Sequence, residues 1–353
     1  RLDNVLLELA QRDIHIYFIV WNERIMIGKM GSKIAQKYFM DLHKNFHFIR
    51  APMTGTIAWS HHQKFVCIDE HTSFLGGIDL SYNRYENPDK YDLFDNNEEF
   101  RNQTYPGLDY ANPSIGLQSI GKEDTELHDR KWQPRMPWQD IHCKLVGLAA
   151  RDVSRNFIQR YNFCKSHDEK FLTLTKQTPR KFSAYYNIDP QLYNKCNIQV
   201  LRSLGHWSSE CKKIETSFYK AYTAAIQNSK RYIYIENQFF ITSSTGKDDN
   251  PKNTIGKAIY DRIVLAIKYK QCFKVYIVIP IHVGNNMNNI ASQVITYWSF
   301  KSICRGKSSI LSLLQKQFPN SNLDDYIKFC SLRKYEWIKV PNKGYKSPVT
   351  EMI

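Results

Sequence analysis

The sequence predicts an α/β protein, on three observations. Apolar residues at helical spacing alternate along the chain with short runs rich in β-branched and aromatic residues. The order helix, strand, polar segment occurs in both halves of the 353 residues, which makes an internally duplicated, layered architecture the expectation. The longest apolar runs, IYFIV and VYIVIPI, fall far short of the roughly 20 residues needed to span a bilayer, so they read as strands of a folded core.

The opening RLDNVLLELAQRDIHIYFIVWNE carries Leu2, Leu6 and Leu9 on one helical face, then a run from Ile14 to Val20 that alternates and becomes continuous, so a helix leads into a strand. NFHFIRAP is a second strand, stopped by Pro52. FVCID is a third, with Phe65, Cys67 and Asp69 on one side and Val66 and Ile68 on the other. Residues 83–140 are polar and rich in turn formers, and are expected to wrap the surface as a long excursion. Helical spacing returns from Leu145 to Phe163, with Val153, Phe157 and Tyr161 as the core stripe. A polar connector around KSHDEKFLTLTKQTPRKF precedes a strand at IQVLRS, a helix over Ile214, Phe218, Tyr222 and Ala225, a strand at YIYIE, a helix near Ile259 to Ile267, and the strand KVYIVIPI.

Composition narrows the class of protein without choosing a function. A hydrophobic share of 42% and an aromatic share of 14% supply enough core to exclude a disordered chain. The 49 basic residues outnumber the 34 acidic ones, a net charge of +15 that concentrates anionic partners, whether nucleic acid or acidic lipid headgroups. The eight cysteines are scattered, with no CxxC pair and no clustering with histidine, and are expected to be ordinary reduced thiols.

Chemistry concentrates in WSHHQKFVCIDEHTSFLGGIDL, residues 59–80. His62, Lys64 and Asp69 form H-x-K-x4-D, followed by Gly76 and Gly77. If residues 62–64 continue a strand, alternation sets His62 and Lys64 on one face, where an imidazole and an ammonium reach the same anionic phosphate. Histidine attacks phosphorus or moves protons near neutral pH, and lysine offers persistent positive charge to phosphoryl oxygens. A carboxylate orients an imidazole, and glycines allow close backbone approach. Residue types alone leave three readings open: a phosphate site, a satisfied surface strand, and a metal site.

A wider set of segments carries a family resemblance. His61 to Lys64, Asp69, FLGGIDLSYNRYENPDKYDL, PRMPWQDIHCKLVGLAARDVSRNFIQRYNFCK, QVLRSLGHWS and RYIYIENQFFI resemble the phospholipase D superfamily, and within it the eukaryotic phosphatidylcholine-hydrolysing branch, over essentially the whole chain. The resemblance implies a phospholipase D-like fold of two related α/β lobes sharing a cleft: a first lobe over 1–165 including the 83–140 excursion, a connector over 166–198, and an incomplete second lobe over 199–353. It implies His62 as nucleophile forming a phosphohistidine, Lys64 as phosphate ligand and Asp69 as supporting acid. It also implies that phosphatidylcholine is cleaved to phosphatidic acid and choline, with primary alcohols competing with water, and that the chemistry requires no metal or other cofactor.

The same resemblance implies cleft-lining or supporting roles for His61, Gly76, Gly77, Trp138, Asp140, His142, Ser203, Trp207, Glu236, Asn237 and Gln238. Arg151 and Arg155, four apart on a helix, with Arg160 and Lys165 extending the positive charge, fall in a stretch resembling the family's phosphoinositide-responsive region; a solvated helix face is the plain reading of the same spacing. Partners implied are a phosphatidylcholine membrane surface, activating phosphoinositides and small GTPase regulators, with no nucleic acid, for a cytoplasmic protein peripheral on membranes. A nucleic-acid phosphodiesterase or a noncatalytic anionic-lipid binder stands as the alternative. A second H-x-K-x4-D is missing: His142 and Lys144 are followed by Asp152, eight residues beyond the lysine instead of five. The expectation is a chain cut before its second motif, with little turnover by itself.

Overall fold

A computed structural model of the chain describes residues 2–22, 31–51, 61–80, 93, 139–166, 170–176, 194, 196–246, 251–280, 290–339 and 346–352. Two units emerge, Arg1–Leu80 with Asp140–Ser217, and Ser81–Gln139 with Phe218–Ile353.

In the first unit, helix α1 (Leu2–Gln11) leads into strand β1 (Ile16–Trp21), and helix α2 (Ser32–Leu42) crosses over to strand β2 (Phe46–Ala51). β1 and β2 pair in parallel from Ile16↔Phe46 to Trp21↔Ala51, the βαβ arrangement that the apolar runs of both strands favour. Phe18 stacks on Phe39 of α2 at 5.0 Å and on Phe48 at 5.1 Å, so the crossover helix is bonded to the sheet largely through aromatic packing.

Strands β3 (Lys64–Ile68), β4 (Thr72–Gly76) and β5 (His142–Val146) follow as an antiparallel sheet in that order. Helix α3 (Leu148–Cys164) packs behind them. Its expected stripe does go inward: Val153 and Tyr161 are buried, Tyr161 meets Tyr17 edge-on at 5.3 Å, and Phe157 meets Phe65 at 6.2 Å. Asn156 and Arg160 lie on that same inward side and are also buried, so the stripe carries polar groups that must find partners inside.

The short ladder of β6 (Ser203–Leu204) with β7 (Glu215–Thr216) completes this unit. The strand expected at IQVLRS is thus reduced to its last residue and the one after it. Arg202 explains part of this: its backbone N–H and carbonyl both bond to Ser217 Oγ, at 3.2 and 3.0 Å, so a side chain satisfies what a ladder would otherwise have to satisfy. Residues 199–217 group with the first unit, which runs to Ser217.

Helix α4 (Ser217–Asn228) carries the chain from the first unit into the second, and starts three residues later than Ile214 because Glu215 and Thr216 are held in β7. Strand β8 (Tyr232–Glu236), helix α5 (Ile255–Lys268), strand β9 (Lys274–Val278), helices α6 (Ile290–Ile303) and α7 (Ile310–Gln317), and strand β10 (Ile327–Cys330) build a parallel sheet of order β10-β9-β8. Ile233 and Ile235 of β8, Val275 and Ile277 of β9, and Ile259 and Ile263 of α5 form its core. Each fully buried isoleucine there stabilises the fold by about 1.5–3 kcal/mol. Strands β11 (Arg333–Lys339) and β12 (Lys346–Met352) add an antiparallel pair. Of the expected 83–140 excursion, only Leu93, Gln139 and Asp140 are described. Leu93 is buried, and its N–H donates to the Glu336 carboxylate at 2.6 Å.

Candidate active site

Lys64 opens β3, and His61, His62 and Gln63 precede it as irregular backbone. His62 is exposed, and its carbonyl accepts from Lys64 Nζ at 3.1 Å. The carboxylate that meets the Lys64 ammonium is Asp79, at 3.2 Å. Asp79 sits two residues beyond Gly77 and was not among the residues singled out from the sequence. Its signal was in plain view, since the strand that pairs with Lys64 ends at Gly76, and the chain leaving it must pass beside the lysine.

Asp69 lies at the other end of β3, five residues along, or roughly 16 Å at the rise of an extended strand. It occupies the β3–β4 turn with φ 50°, followed by Glu70 at φ 56°, while the His71 N–H closes the turn on the Ile68 carbonyl at 3.1 Å. Two left-handed central residues suit a tight hairpin, and a short acidic side chain tolerates that region. The structure therefore does not bring Asp69 to Lys64, and the expected triad of His62, Lys64 and Asp69 does not assemble at one point.

The paired glycines answer to β5. A Cβ on Gly76 would collide with the Ile141 carbonyl and lie 2.7 Å from His142 Nδ1, and one on Gly77 would collide with the Asp140 carboxylate. The Gly77 N–H donates to the Ile141 carbonyl at 2.9 Å, so β5 closes directly over both residues. Asp140 and His142 are brought to the strand end that carries Lys64, and His142 Nδ1 is buried without a hydrogen-bond partner among the described residues. Trp138 lies outside the described residues.

Behind the motif runs a polar chain. Asn156 Nδ2 donates to Gln63 Oε1 at 2.8 Å, and Asn156 Oδ1 accepts from the Arg202 guanidinium at 2.9 Å. The same guanidinium reaches Gln159 Oε1 at 2.8 Å and Glu215 Oε2 at 2.8 Å. These side chains, with Lys64, Phe65, Leu75, Gly76 and Arg155, line a cavity of about 520 Å³. Gln63, Asn156, Arg202 and Glu215 were missed from the sequence. The available signal was the polar pair Asn156 and Arg160 inside an otherwise apolar helical stripe.

His61 lies 6.5 Å from Trp207, edge to face, and burial together with the nearby Arg160 guanidinium lowers its pKa to about 4, against a bond to Gln63 that pulls the other way. Arg160 is buried and donates to the Ser208 carbonyl. It therefore supports the site from beneath, and does not extend a surface with Arg151 and Arg155 as its spacing suggested. Arg151 is also committed: its guanidinium pairs with Glu70 at 3.2 Å, and Glu70 in turn accepts from the Thr175 N–H at 2.8 Å. Arg155 is exposed and pairs with Asp152 at 2.6 Å, and Lys165 lies over Phe171. Ser203 is exposed on β6.

Glu236, Asn237 and Gln238 belong to the second unit, exposed at the carboxyl end of β8. Glu236 accepts from the Tyr234 hydroxyl at 2.8 Å, which raises the tyrosine pKa, and the Asn237 N–H donates to the Val278 carbonyl at 3.1 Å. Among the described residues, no group of three or more His, Cys, Asp or Glu side chains is arranged to hold a metal ion, and no helix is long and apolar enough to cross a membrane. The eight cysteines are all free thiols.

The family model described as Phospholipase D matches residues 1–351. The chain is 35% identical over 351 residues to Phospholipase D1 of Saccharomyces cerevisiae, covering 95% of this chain and 21% of that relative. It is 35% identical over 340 residues to Phospholipase D A of Dictyostelium discoideum, covering 96% and 25%, and 32% identical over 375 residues to Phospholipase D2 of Bos taurus, covering 95% and 39%. An α/β chain with a histidine and a lysine at one strand end, matched by that model along nearly all its length, belongs to the phospholipase D family. It spans between 21% and 39% of the length of these three relatives.

Proposed function

We infer that the full-length protein is a phosphatidylcholine-hydrolysing phospholipase D of the eukaryotic branch, in which this chain supplies the nucleophilic half of a two-lobed, two-motif site. The observation that carries the reading is the strand end at which Lys64 bonds both the His62 carbonyl and the Asp79 carboxylate, within a family-matched chain.

A ring nitrogen of His62 attacks the lipid phosphorus, a nitrogen–phosphorus bond forms, and the phosphorus–oxygen bond to choline breaks. Choline leaves with a proton from a second histidine, which the family pattern expects from a further motif and which His142 does not match by spacing. Water, deprotonated by that same group, then attacks phosphorus and releases phosphatidic acid, restoring His62. Lys64 neutralises phosphoryl oxygens as charge builds, and Asp79 holds the ammonium in place until the phosphate arrives. A primary alcohol in place of water gives a phosphatidylalcohol. Activation by phosphoinositides, small GTPase regulators and a peripheral position on cytoplasmic membranes complete the reading, supported by the net charge of +15 and by family likeness.

The test is mass spectrometry of products from the full-length protein acting on phosphatidylcholine vesicles with and without a primary alcohol. Phosphatidic acid and phosphatidylalcohol, both lost in His62→Ala, are expected. Diacylglycerol as the product rejects the assigned bond, and turnover of short nucleic acids but not of lipid rejects the substrate class.

A further inference from the structure

The geometry points to Asn156 and Arg202 as positioning residues that clamp Gln63, and through it the backbone carrying His62 and Lys64. This rests on the reading of His62 as nucleophile. His61 to Gln63 have no ladder of their own, because β3 begins only at Lys64. A nucleophile on irregular backbone needs its position imposed from elsewhere, since an error of about 1 Å costs on the order of 100-fold in rate.

The residue between His62 and Lys64 supplies the handle. Gln63 is itself exposed, but its side chain is tied by a 2.8 Å bond to Asn156, 93 residues away on α3, and this contact restrains the backbone between His62 and Lys64. Asn156 is buried, and its amide has a defined orientation because Arg202 accepts nothing: only the Asn156 oxygen can face the guanidinium at 2.9 Å, which turns the Asn156 NH2 toward Gln63. Arg202 is fixed in turn by Gln159 and by Glu215, and its backbone by Ser217. The order Glu215, Arg202, Asn156, Gln63 thus runs from an ion pair at the wall of the cavity to the backbone of the motif, each link dictating the next.

The clamp predicts a specific pattern in the full-length protein acting on soluble short-chain phosphatidylcholine. Asn156→Ala and Arg202→Lys each lower kcat by about 10- to 100-fold with KM changed less than about threefold, because chemistry needs the geometry and ground-state binding needs only charge. Arg202→Lys is informative because it keeps the charge and loses the planar fork that serves three acceptors. Gln63→Ala with Asn156→Ala is expected to cost no more than either alone. Asn162→Ala is the stability control: Asn162 bonds the Leu172 backbone at 2.8 and 2.9 Å on the same helix without touching Gln63. A kcat loss in Asn162→Ala matching that in Asn156→Ala, at equal loss of thermal stability, overturns the clamp. So does Arg202→Lys at wild-type kcat.

A second readout needs no turnover. Imidazole nitrogen–proton spectra of histidine-labelled protein report the ordering of His62 directly, and Asn156→Ala is expected to broaden or double its signals while Asn162→Ala leaves them single. Identical His62 signals in wild type and Asn156→Ala overturn the clamp. Full activity in His62→Ala overturns the catalytic reading instead, and the spectra then still decide whether the clamp exists.

Discussion

Lys64 Nζ lies 3.2 Å from Asp79 Oδ1, and Asp79, not the motif's own Asp69, is the carboxylate that this lysine meets. The two acids stand at opposite ends of β3. Asp79 meets the lysine at its start, and Asp69 turns the chain at its far end with a left-handed backbone. Asp79→Asn is expected to lower kcat by about 10-fold or more by releasing the lysine from its held position, on the scale of one charge-assisted contact. Asp69→Asn is expected to cost less in kcat, with its effect read mainly in thermal unfolding. Steady-state kinetics beside calorimetry of both variants decides the matter, and a larger kcat loss from Asp69→Asn would reverse the assignment.

His61 is expected to make the fold acid-sensitive. Its folded pKa of about 4 lies below the ordinary 6.5, so between those values the unfolded chain binds more protons than the folded one. Stability that is fully present above about pH 6.5 is therefore lost as pH falls toward 4, by about 3 kcal/mol at most. Urea unfolding at several pH values should show this slope in the wild type and a flatter one in His61→Gln. Parallel slopes in the two proteins would place the acid sensitivity elsewhere.

Much of this was legible in the sequence where one period dominates. Continuous apolar runs marked β1, β8 and β9, and the stripe of Val153, Phe157 and Tyr161 marked the inner face of α3. Partnership over long separations was not legible. IQVLRS has the composition of a strand, yet Ser217 and Glu215 engage Arg202 and the ladder shrinks to two residues. Asp69 matched its motif spacing, but spacing counts residues along a strand and does not tell that Asp69 stands at the far end of β3 from Lys64. Arg151, Arg155 and Arg160 read as one charged surface, and tertiary contacts send Arg151 to a hairpin turn and Arg160 inside.

Arg151 and Arg155 should separate in experiment. Arg151 and Glu70 have side chains only 20% and 15% exposed, so Arg151→Ala leaves a sheltered carboxylate without its cation and is expected to cost about 1–3 kcal/mol. The Arg155 pair with Asp152 is about half exposed, and Arg155→Ala should cost less than about 0.5 kcal/mol. Vesicle co-sedimentation with a phosphoinositide then tests the lipid reading on Arg155 without an unfolding artefact. Reduced lipid binding in Arg151→Ala at unchanged stability would restore Arg151 as a headgroup ligand.

The paired glycines offer a test by rescue. A methyl group at position 77 meets the Asp140 carboxylate, a side chain that a second substitution can remove. At position 76 it meets the Ile141 carbonyl, which is backbone and which no substitution removes. Gly77→Ala should therefore destabilise by about 1–3 kcal/mol, the usual cost of overfilling a packed site, and recover most of that in combination with Asp140→Ala. Gly76→Ala should cost more, because β4 and β5 must part at the Gly76↔His142 pair to admit the methyl group, and Asp140→Ala should leave that loss in place. Chemical denaturation of the two single and two double variants, referred to Asp140→Ala alone, measures both couplings. Equal rescue at the two positions, or rescue at neither, would mean that β5 does not close over the glycines through Asp140 and Ile141, and would remove the reason why Asp140 and His142 lie at the strand end that carries Lys64.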